Sequence, residues 1–309
     1  MSRIKTETFL YTAKGRRKRN EDFIGKSVFK IKEKNVVLMA VADGMGGYEG
    51  GNLASKKAVN LFLMKMKKYF KNINSIEDVK FFIRKTYRQI NDEIYEDSKT
   101  DERLQDMGTT LTALVIVNDQ YIISNVGDSR AYVLKTEDIQ QVTEDHSAVA
   151  ESLKEGRISP LEIKKMPFQH ALTRNLGNDH EVEVDIFPNE GAYRTNAGTA
   201  VILMTDGITS VLSELEVYDR IVAGKSLKSA AEDIVSYAYQ KGSSDNMSIA
   251  LAEIGKMRRK NFSKVKKTAF AAKKQPKKPG GIVLKSLVFL TFSILLLILV
   301  ILFLQKMLS

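Results

Sequence analysis

The sequence predicts an antiparallel α+β sandwich followed by a transmembrane helix, and three observations carry that expectation. Apolar runs of strand length, mostly β-branched and bounded by Gly, Asp or Asn, succeed one another through residues 1–255. Two long stretches of helical spacing come in direct succession instead of alternating with strands, which fits an α+β arrangement better than a βαβ repeat. Near the C-terminus, residues 286–304 run without a charge, Pro or Gly, and about twenty apolar residues at ~1.5 Å rise span a bilayer core.

The strands are expected at 36–42, 109–117, 121–126, 131–134, 200–205 and 247–254. Ala54, Ala58, Leu61, Phe62 and Met66 recur at helical spacing after Gly50 and Gly51, and Ile76, Val79, Ile83, Tyr87, Ile90 and Ile94 do so after the N-cap candidate Ser75. A third helix is expected over 227–239. Met39, Phe62, Phe82 and Tyr87 fall at strand or helix spacing and are expected in the core. No internal repeat of fixed period is present.

The 309 residues, 43% hydrophobic and 28% charged, have the balance of one large globular domain or two small ones, not of a disordered chain. Without Cys the chain can have no disulfide framework, thiolate nucleophile, iron–sulfur cluster or Cys-containing zinc site, and it reads as intracellular. The formal charge of +11 is misleading until it is located. Thirteen of the 48 basic residues and none of the 37 acidic ones lie beyond residue 255, which leaves the first 255 residues at −2.

That distribution divides the chain into a folded domain at 1–255, a basic linker at 256–285, a membrane span at 286–304 and a short tail at 305–309. The Lys/Arg excess before the span predicts that the domain lies on the cytoplasmic side of the cell membrane, held by a single C-terminal anchor. The linker, punctuated by Pro276, Pro279, Gly280 and Gly281, is suited to anionic lipid headgroups at ~1 kcal/mol per basic residue. Beside a membrane span, a nucleic-acid arm is the weaker reading of the same charges.

The chemistry resides in acids at strand ends. The strand expected at 36–42 runs into Asp43-Gly44, and that at 200–205 into Asp206-Gly207. A buried strand that stops on Asp delivers a carboxylate to the rim of the core, and an adjacent Gly allows close approach of backbone or ligand. Glu21-Asp22, Asp128 in Val126-Gly127-Asp128-Ser129-Arg130, and Asp245-Asn246 are placed similarly. Hard oxygen donors in a chain with three His and no Cys select Mg²⁺ or Mn²⁺. Several such Asp residues aimed at one place would repel one another unless cations lay between them, which points to a binuclear centre.

Six motifs taken together resemble a known family. Gly15 to Asp22, Val41-Ala42-Asp43-Gly44-Met45-Gly46-Gly47, Met107-Gly108-Thr109-Thr110, Val126 to Arg130, Leu203-Met204-Thr205-Asp206-Gly207 and Ser244-Asp245-Asn246 are similar, in identity and order, to the bacterial branch of the metal-dependent Ser/Thr protein phosphatases, type 2C or PPM. The resemblance covers residues 1–254. It implies two antiparallel sheets flanked by helices, an αββα sandwich, with two and sometimes three Mn²⁺ or Mg²⁺ ions in a cleft at one end. Asp43 would bridge two metals, Asp22 and the Gly44 carbonyl would serve one, and Asp206 and Asp245 the other. Asp128 matches the ligand of a weaker third metal, Glu21 and Asn246 would sit in the outer shell, and Arg17 would grip the substrate phosphate.

With those roles, two cations would supply an acidified water near neutral pH for in-line attack on phosphorus, and Arg17 would pair with two phosphate oxygens through its planar fork. The expected reaction is hydrolysis of phosphoserine and phosphothreonine on cytoplasmic proteins. The resemblance also implies a membrane Ser/Thr kinase and its substrates as partners.

Eukaryotic members carry a His after the Asp-Gly as general acid; here Met45 stands there, which leaves a metal-held water or no acid at all. Residues 144–178 resemble a flap beside the cleft, which influences substrate choice; a surface insertion without such a role is the alternative. His146, His170 and His180 fall in no assigned motif. Three rival functions fit the sequence less well. An aspartyl phosphotransferase would need a second Asp where Ile208 stands. A membrane-held pseudophosphatase that binds phosphoproteins is opposed by the complete set Asp22, Asp43, Asp128, Asp206 and Asp245. A lipid- or nucleic-acid-binding protein would rest on the basic tail alone.

Overall fold

The computed structural model describes residues 5–46, 50–135, 138–159, 161–162 and 171–257. Its strands are β1 (Thr6–Ala13), β2 (Asp22–Ile31), β3 (Lys34–Met45), β4 (Gly108–Thr109), β5 (Leu111–Val117), β6 (Gln120–Val126), β7 (Arg130–Lys135), β8 (Asp138–Gln141), β9 (Asp185–Phe187), β10 (Tyr193–Arg194), β11 (Thr199–Met204) and β12 (Met247–Ile254). Its helices are α1 (Gly50–Tyr69), α2 (Ile76–Thr100), α3 (Ala148–Lys154), α4 (Asp206–Thr209), α5 (Glu214–Ala223) and α6 (Leu227–Gln240).

Among the described residues the strands form two antiparallel sheets. One has the order β1-β12-β11-β7-β8; the other has β10-β6-β5-β3-β2, with β4 added to β3 and β9 to β6. Successive side chains of a strand point to opposite faces, so a strand covered on both faces reads as a continuous apolar run. In β3, Val37, Met39 and Val41 face the interior between the sheets, with Val201 and Leu203 of β11 and Ala250 and Ala252 of β12. The alternate residues Val36, Leu38, Ala40 and Ala42 pack with Phe62 of α1 and Ile83 and Tyr87 of α2. On the other sheet, Ile202, Met204, Ile249 and Leu251 pack with Ile221 of α5 and Ile234 of α6. Two strand periodicities of opposite phase thus build a helix–sheet–sheet–helix stack.

The strands and three helices expected within 1–255 are present with small shifts at their ends, and Met39, Phe62 and Tyr87 are fully buried, with Phe82 packed at the edge of the core. Strands β1 and β2 were not anticipated. Both are only partly covered, and polar residues at their exposed positions hide the apolar period. Helix α1 begins four residues earlier than its apolar spacing indicates because its first turn contains two glycines. A Cβ on Gly44 would lie 2.0 Å from the Gly51 carbonyl oxygen, so the strand end and the helix start touch backbone to backbone.

Helix α5 also went unread, although Ser213 and Glu216 form a capping box at its start. Met257 is buried among the α5–α6 side chains, and its N–H donates to Glu253 Oε1. Among the described residues no helix is long and apolar enough to cross a membrane. The span expected at 286–304 and the linker beyond residue 257 lie outside the described residues, as does His170.

Candidate metal and phosphate centre

The acids singled out by sequence converge because the strands that carry them end at one edge of the sandwich. Asp22 opens β2 and stands directly opposite Asp43 of β3 in the ladder. Asp206 follows β11 and Asp245 precedes β12, two strands paired in the other sheet. Asp128 lies in the turn between β6 and β7, where the chain crosses from one sheet to the other. The cluster therefore draws on both sheets.

Charge crowding is visible in the protonation of these groups. Burial, then the hydrogen bonds and neighbouring carboxylates, leave the Asp22 carboxyl at about 7; the Asp206 and Asp245 charges push it up while Ser248 and Thr205 pull it down. Burial and the charges of Asp206 and Asp145 likewise push Asp128 up to about 7. Asp43 is held well above the carboxylate range by burial, by Asp22 and Asp206, by a hydrogen bond shared with Asp206, and by Asp128. Burial raises Glu21 as well, with Arg17 opposing and Asp245 adding to the shift.

Each motif residue around the acids has an identifiable task. The Thr110 hydroxyl accepts the Asp43 N–H at 2.9 Å and is 2.8 Å from the Ser129 hydroxyl, while Thr109 Oγ1 donates to the Asp43 carbonyl at 2.9 Å. Thr205 Oγ1 donates to Asp22 Oδ2 at 2.9 Å and accepts the Ser248 N–H. Asn246, expected in the outer shell, has its amide engaged by backbone: Oδ1 accepts the Glu21 N–H at 2.7 Å, and Nδ2 donates to the Lys14 and Arg19 carbonyls, both at 2.9 Å. It staples both ends of the loop that carries Arg17. Arg16 fixes the same loop from outside, with its guanidinium 4.8 Å from the Tyr239 ring centroid at the end of α6. Arg17 itself reaches inward, Nη2 to Asp245 Oδ2 at 2.6 Å, and that contact raises its pKa.

Sequence reasoning missed His146. Its Nδ1 accepts the Gly127 N–H at 3.0 Å, so Nε2 carries the proton and donates to Asp185 Oδ2 at 3.0 Å. Arg174 Nη1 binds the other oxygen of Asp185 at 2.8 Å. Next to it, Arg130 forks onto Asp145 through Nε and Nη2 at 2.8 and 2.6 Å. The turn bearing Asp128 is thereby gripped from both sides. The signal was available in Asp145-His146-Ser147, three adjacent side chains each capable of a directed hydrogen bond. Ser147, the third, caps α3. The described parts of 144–178 return to the centre, with Leu176 bridging Thr109.

The donor set fits hard divalent cations. Asp22, only 3% exposed, has one carboxylate oxygen, Oδ1, buried with no hydrogen-bond partner among the described residues, and its surroundings are oxygen donors without thiolates or imidazoles. Among the described residues no three His, Asp or Glu side chains close around a single point as they stand. The Asp43–Asp206 hydrogen bond and the Arg17–Asp245 pair occupy oxygens that a cation would take.

Comparison with known proteins agrees with this chemistry. Residues 14–252 match the family model described as Protein phosphatase 2C. A protein named serine/threonine phosphatase stp from Listeria innocua is 35% identical over 243 residues, covering 78% of this chain and 93% of that one. The solved serine/threonine phosphatase of S. agalactiae superposes with a TM-score of 0.74 at 30% identity, over 81% of this chain and all of that one. The catalytic domain of the serine threonine protein phosphatase PstP, solved in complex with two manganese ions, gives a TM-score of 0.64 at 25% identity, over 81% and 99% of the two chains.

Proposed function

This chain belongs to the protein phosphatase 2C family and is a metal-dependent protein Ser/Thr phosphatase, and we propose that Asp22, Asp43, the Gly44 carbonyl, Asp206 and Asp245 hold two Mn²⁺ or Mg²⁺ ions, with Asp128 serving a third. The observation that carries this reading is the crowding of Asp22, Asp43 and Asp128, each pushed up by burial and by the Asp206 charge among its causes, with an unpartnered oxygen on buried Asp22. When bound, the cations supply an acidified water near neutral pH and positive charge for the phosphoryl oxygens.

The remaining work belongs to the chain. Asp43 would serve as one of the ligands, its backbone fixed through Thr109 and Thr110. Asp22, whose burial pushes its carboxyl up to about 7, would have to be ionised to hold a cation, because only a carboxylate coordinates. Arg17 leaves Asp245 for the substrate phosphate, to which it offers two parallel N–H donors. Asn246 and Arg16 keep the Arg17 loop from collapsing or swinging away during that exchange. Met45 offers no proton to the leaving oxygen.

Residues 286–304 anchor the enzyme in the cell membrane with its catalytic domain in the cytoplasm, and the basic stretch at 256–285 rests on anionic lipid headgroups. The hydrophobic run and the thirteen basic residues beyond residue 255 support that placement. The substrates are phosphoserine and phosphothreonine proteins near that surface, among them a membrane Ser/Thr kinase and its targets. The test of the metal assignment is hydrolysis of a phosphothreonine peptide with Mn²⁺ and with EDTA, beside Asp206→Asn. Turnover that needs Mn²⁺ and vanishes in the variant supports it; full turnover by a folded Asp206→Asn protein sinks it.

A further inference from the structure

A second surface of the molecule is built for a ligand that the carboxylate centre does not explain. Phe81, Arg84, Lys85 and Arg88 of α2 are all exposed and spaced i, i+3, i+4, i+7, so they form one stripe along the helix. Phe81 is 61% exposed, although its ring touches that of Phe82 edge-on at 5.3 Å. The stripe is one wall of a groove of about 740 Å³; Val182, Glu183 and Val184, ahead of β9, form the other, with Gln89 also lining it.

The charges of this stripe are uncompensated. Four other cations on α1 and α2 have carboxylate partners: Lys57 with Asp97, Lys65 with Glu93, Lys80 with Glu77 and Lys99 with Glu96. Arg84, Lys85 and Arg88 form no ion pair with a described residue, and Glu183 is the one acid that lines the groove. Lys85 lies 5.5 Å from the Tyr69 ring centroid, which orients the amine without neutralising it.

We infer that this groove docks an extended acidic segment of a protein partner, carboxylate side chains meeting Arg84, Lys85 and Arg88 and one apolar side chain resting on Phe81. The stripe spans roughly 10 Å at ~1.5 Å per helical residue, which matches about three residues of extended chain at ~3.3 Å each. A walled groove suits a peptide in a way that it does not suit a flat lipid surface. The middle of the stripe also lies about 24 Å along the helix from its C-terminal end, the end that leads to Met107 and Gly108, so docking and hydrolysis are separable. The inference rests on shape and charge and does not depend on the metal assignment.

The test is fluorescence anisotropy of a fluorescein-labelled, unphosphorylated peptide alternating glutamate with leucine, titrated with the full chain. Saturable binding that weakens with salt, falls at least tenfold in Arg84→Glu/Arg88→Glu and several-fold in Phe81→Ser, with hydrolysis of para-nitrophenyl phosphate unchanged, supports the groove. Absence of binding, or binding that neither variant alters, overturns it. Capture by phosphatidylcholine vesicles containing phosphatidylglycerol that the double variant loses, with no peptide binding, also overturns it and assigns the stripe to lipid.

Discussion

Arg17 Nη2 lies 2.6 Å from Asp245 Oδ2, an ion pair that joins the loop after β1 to the residues just before β12. The two groups are each other's placeholder: the arginine occupies an oxygen proposed for a cation, and the carboxylate occupies a fork proposed for phosphate. Both side chains are partly exposed, 55% and 32%, so solvent screening keeps the pair easy to exchange.

The first prediction follows from that exchange. Arg17→Ala should lower kcat/KM for a phosphothreonine peptide by ten- to a hundred-fold, about 1.5–3 kcal/mol for charge-assisted hydrogen bonds. Its Mn²⁺ affinity by calorimetry should be equal or higher, because Asp245 no longer has a competitor. Arg17→Lys should recover a minor part of the loss, since a point charge does not replace a planar fork. A fall in Mn²⁺ affinity that accounts for the lost activity would contradict the phosphate role.

The raised carboxyls predict how the metal-free protein responds to pH. Asp22 and Asp128, at about 7, and Asp43, held well above the carboxylate range, bind protons in the folded state that the unfolded chain releases near pH 4. Their contribution to stability is therefore complete below about pH 4 and is lost as pH rises to 7 and beyond. His146, lowered by burial, works the other way below its ordinary value, a single group against the raised carboxyls. In EDTA, Tm should fall between pH 5 and pH 8; with Mn²⁺ that fall should be largely abolished. A metal-free Tm that climbs steadily to pH 8 would rule out the protonated cluster.

His146→Ala should destabilise the domain by about 1–3 kcal/mol, because the Gly127 N–H loses its acceptor in a buried site. Asp128 is the next residue, so saturation of the weakest Mn²⁺ site should shift to higher concentration while the two tight sites hold. Calorimetric titration of the variant reads both. Unchanged weak-site binding in a folded variant would confine His146 to stability.

Thr110→Val keeps the shape of the side chain but removes the acceptor of the Asp43 N–H and the partner of Ser129. A loss of about 1–3 kcal/mol in urea unfolding is expected, with a larger proportional loss in Mn²⁺-dependent turnover than in Tm-corrected folded fraction. Equal losses in the two would make Thr110 a core residue and nothing more.

Removing the residues after Met257 should leave turnover of a soluble phosphopeptide within about twofold and move the protein from the membrane fraction to the soluble fraction of cells. Dephosphorylation of a membrane kinase should then fall at equal expression, since the tether raises effective concentration. A truncated chain that stays with membranes would remove the anchor from the proposal.

Much of the centre was legible because its acids are fixed by strand ends, and strand ends are marked by apolar runs stopping on Asp-Gly. Asp43 and Asp206 could be read in that way from sequence, and motif order located Asp22, Asp128 and Asp245. What supports them was not legible. Asn246 staples residues more than two hundred positions away, and His146 acts through Asp185 and Gly127; such contacts depend on tertiary proximity, which local spacing does not encode. The same holds for β1 and β2, where partial exposure lets polar residues mask the period, and for the start of α1, where glycines chosen for backbone contact look like a loop.

The carboxylates come half from one sheet and half from the other, so the gap they leave is set by the distance between two close-packed layers. A loop can relax around an ion of any radius; a sandwich seam filled by Val37, Met39, Leu203 and Ala250 cannot do so without disturbing its core. For cations held by these carboxylates as proposed, discrimination between a small ion with oxygens at ~2.1 Å and a large one at ~2.4 Å would rest on the hydrophobic filling as much as on the ligands. Enlarging or trimming the filling near that edge would then retune which ion the enzyme accepts, with every proposed ligand left in place.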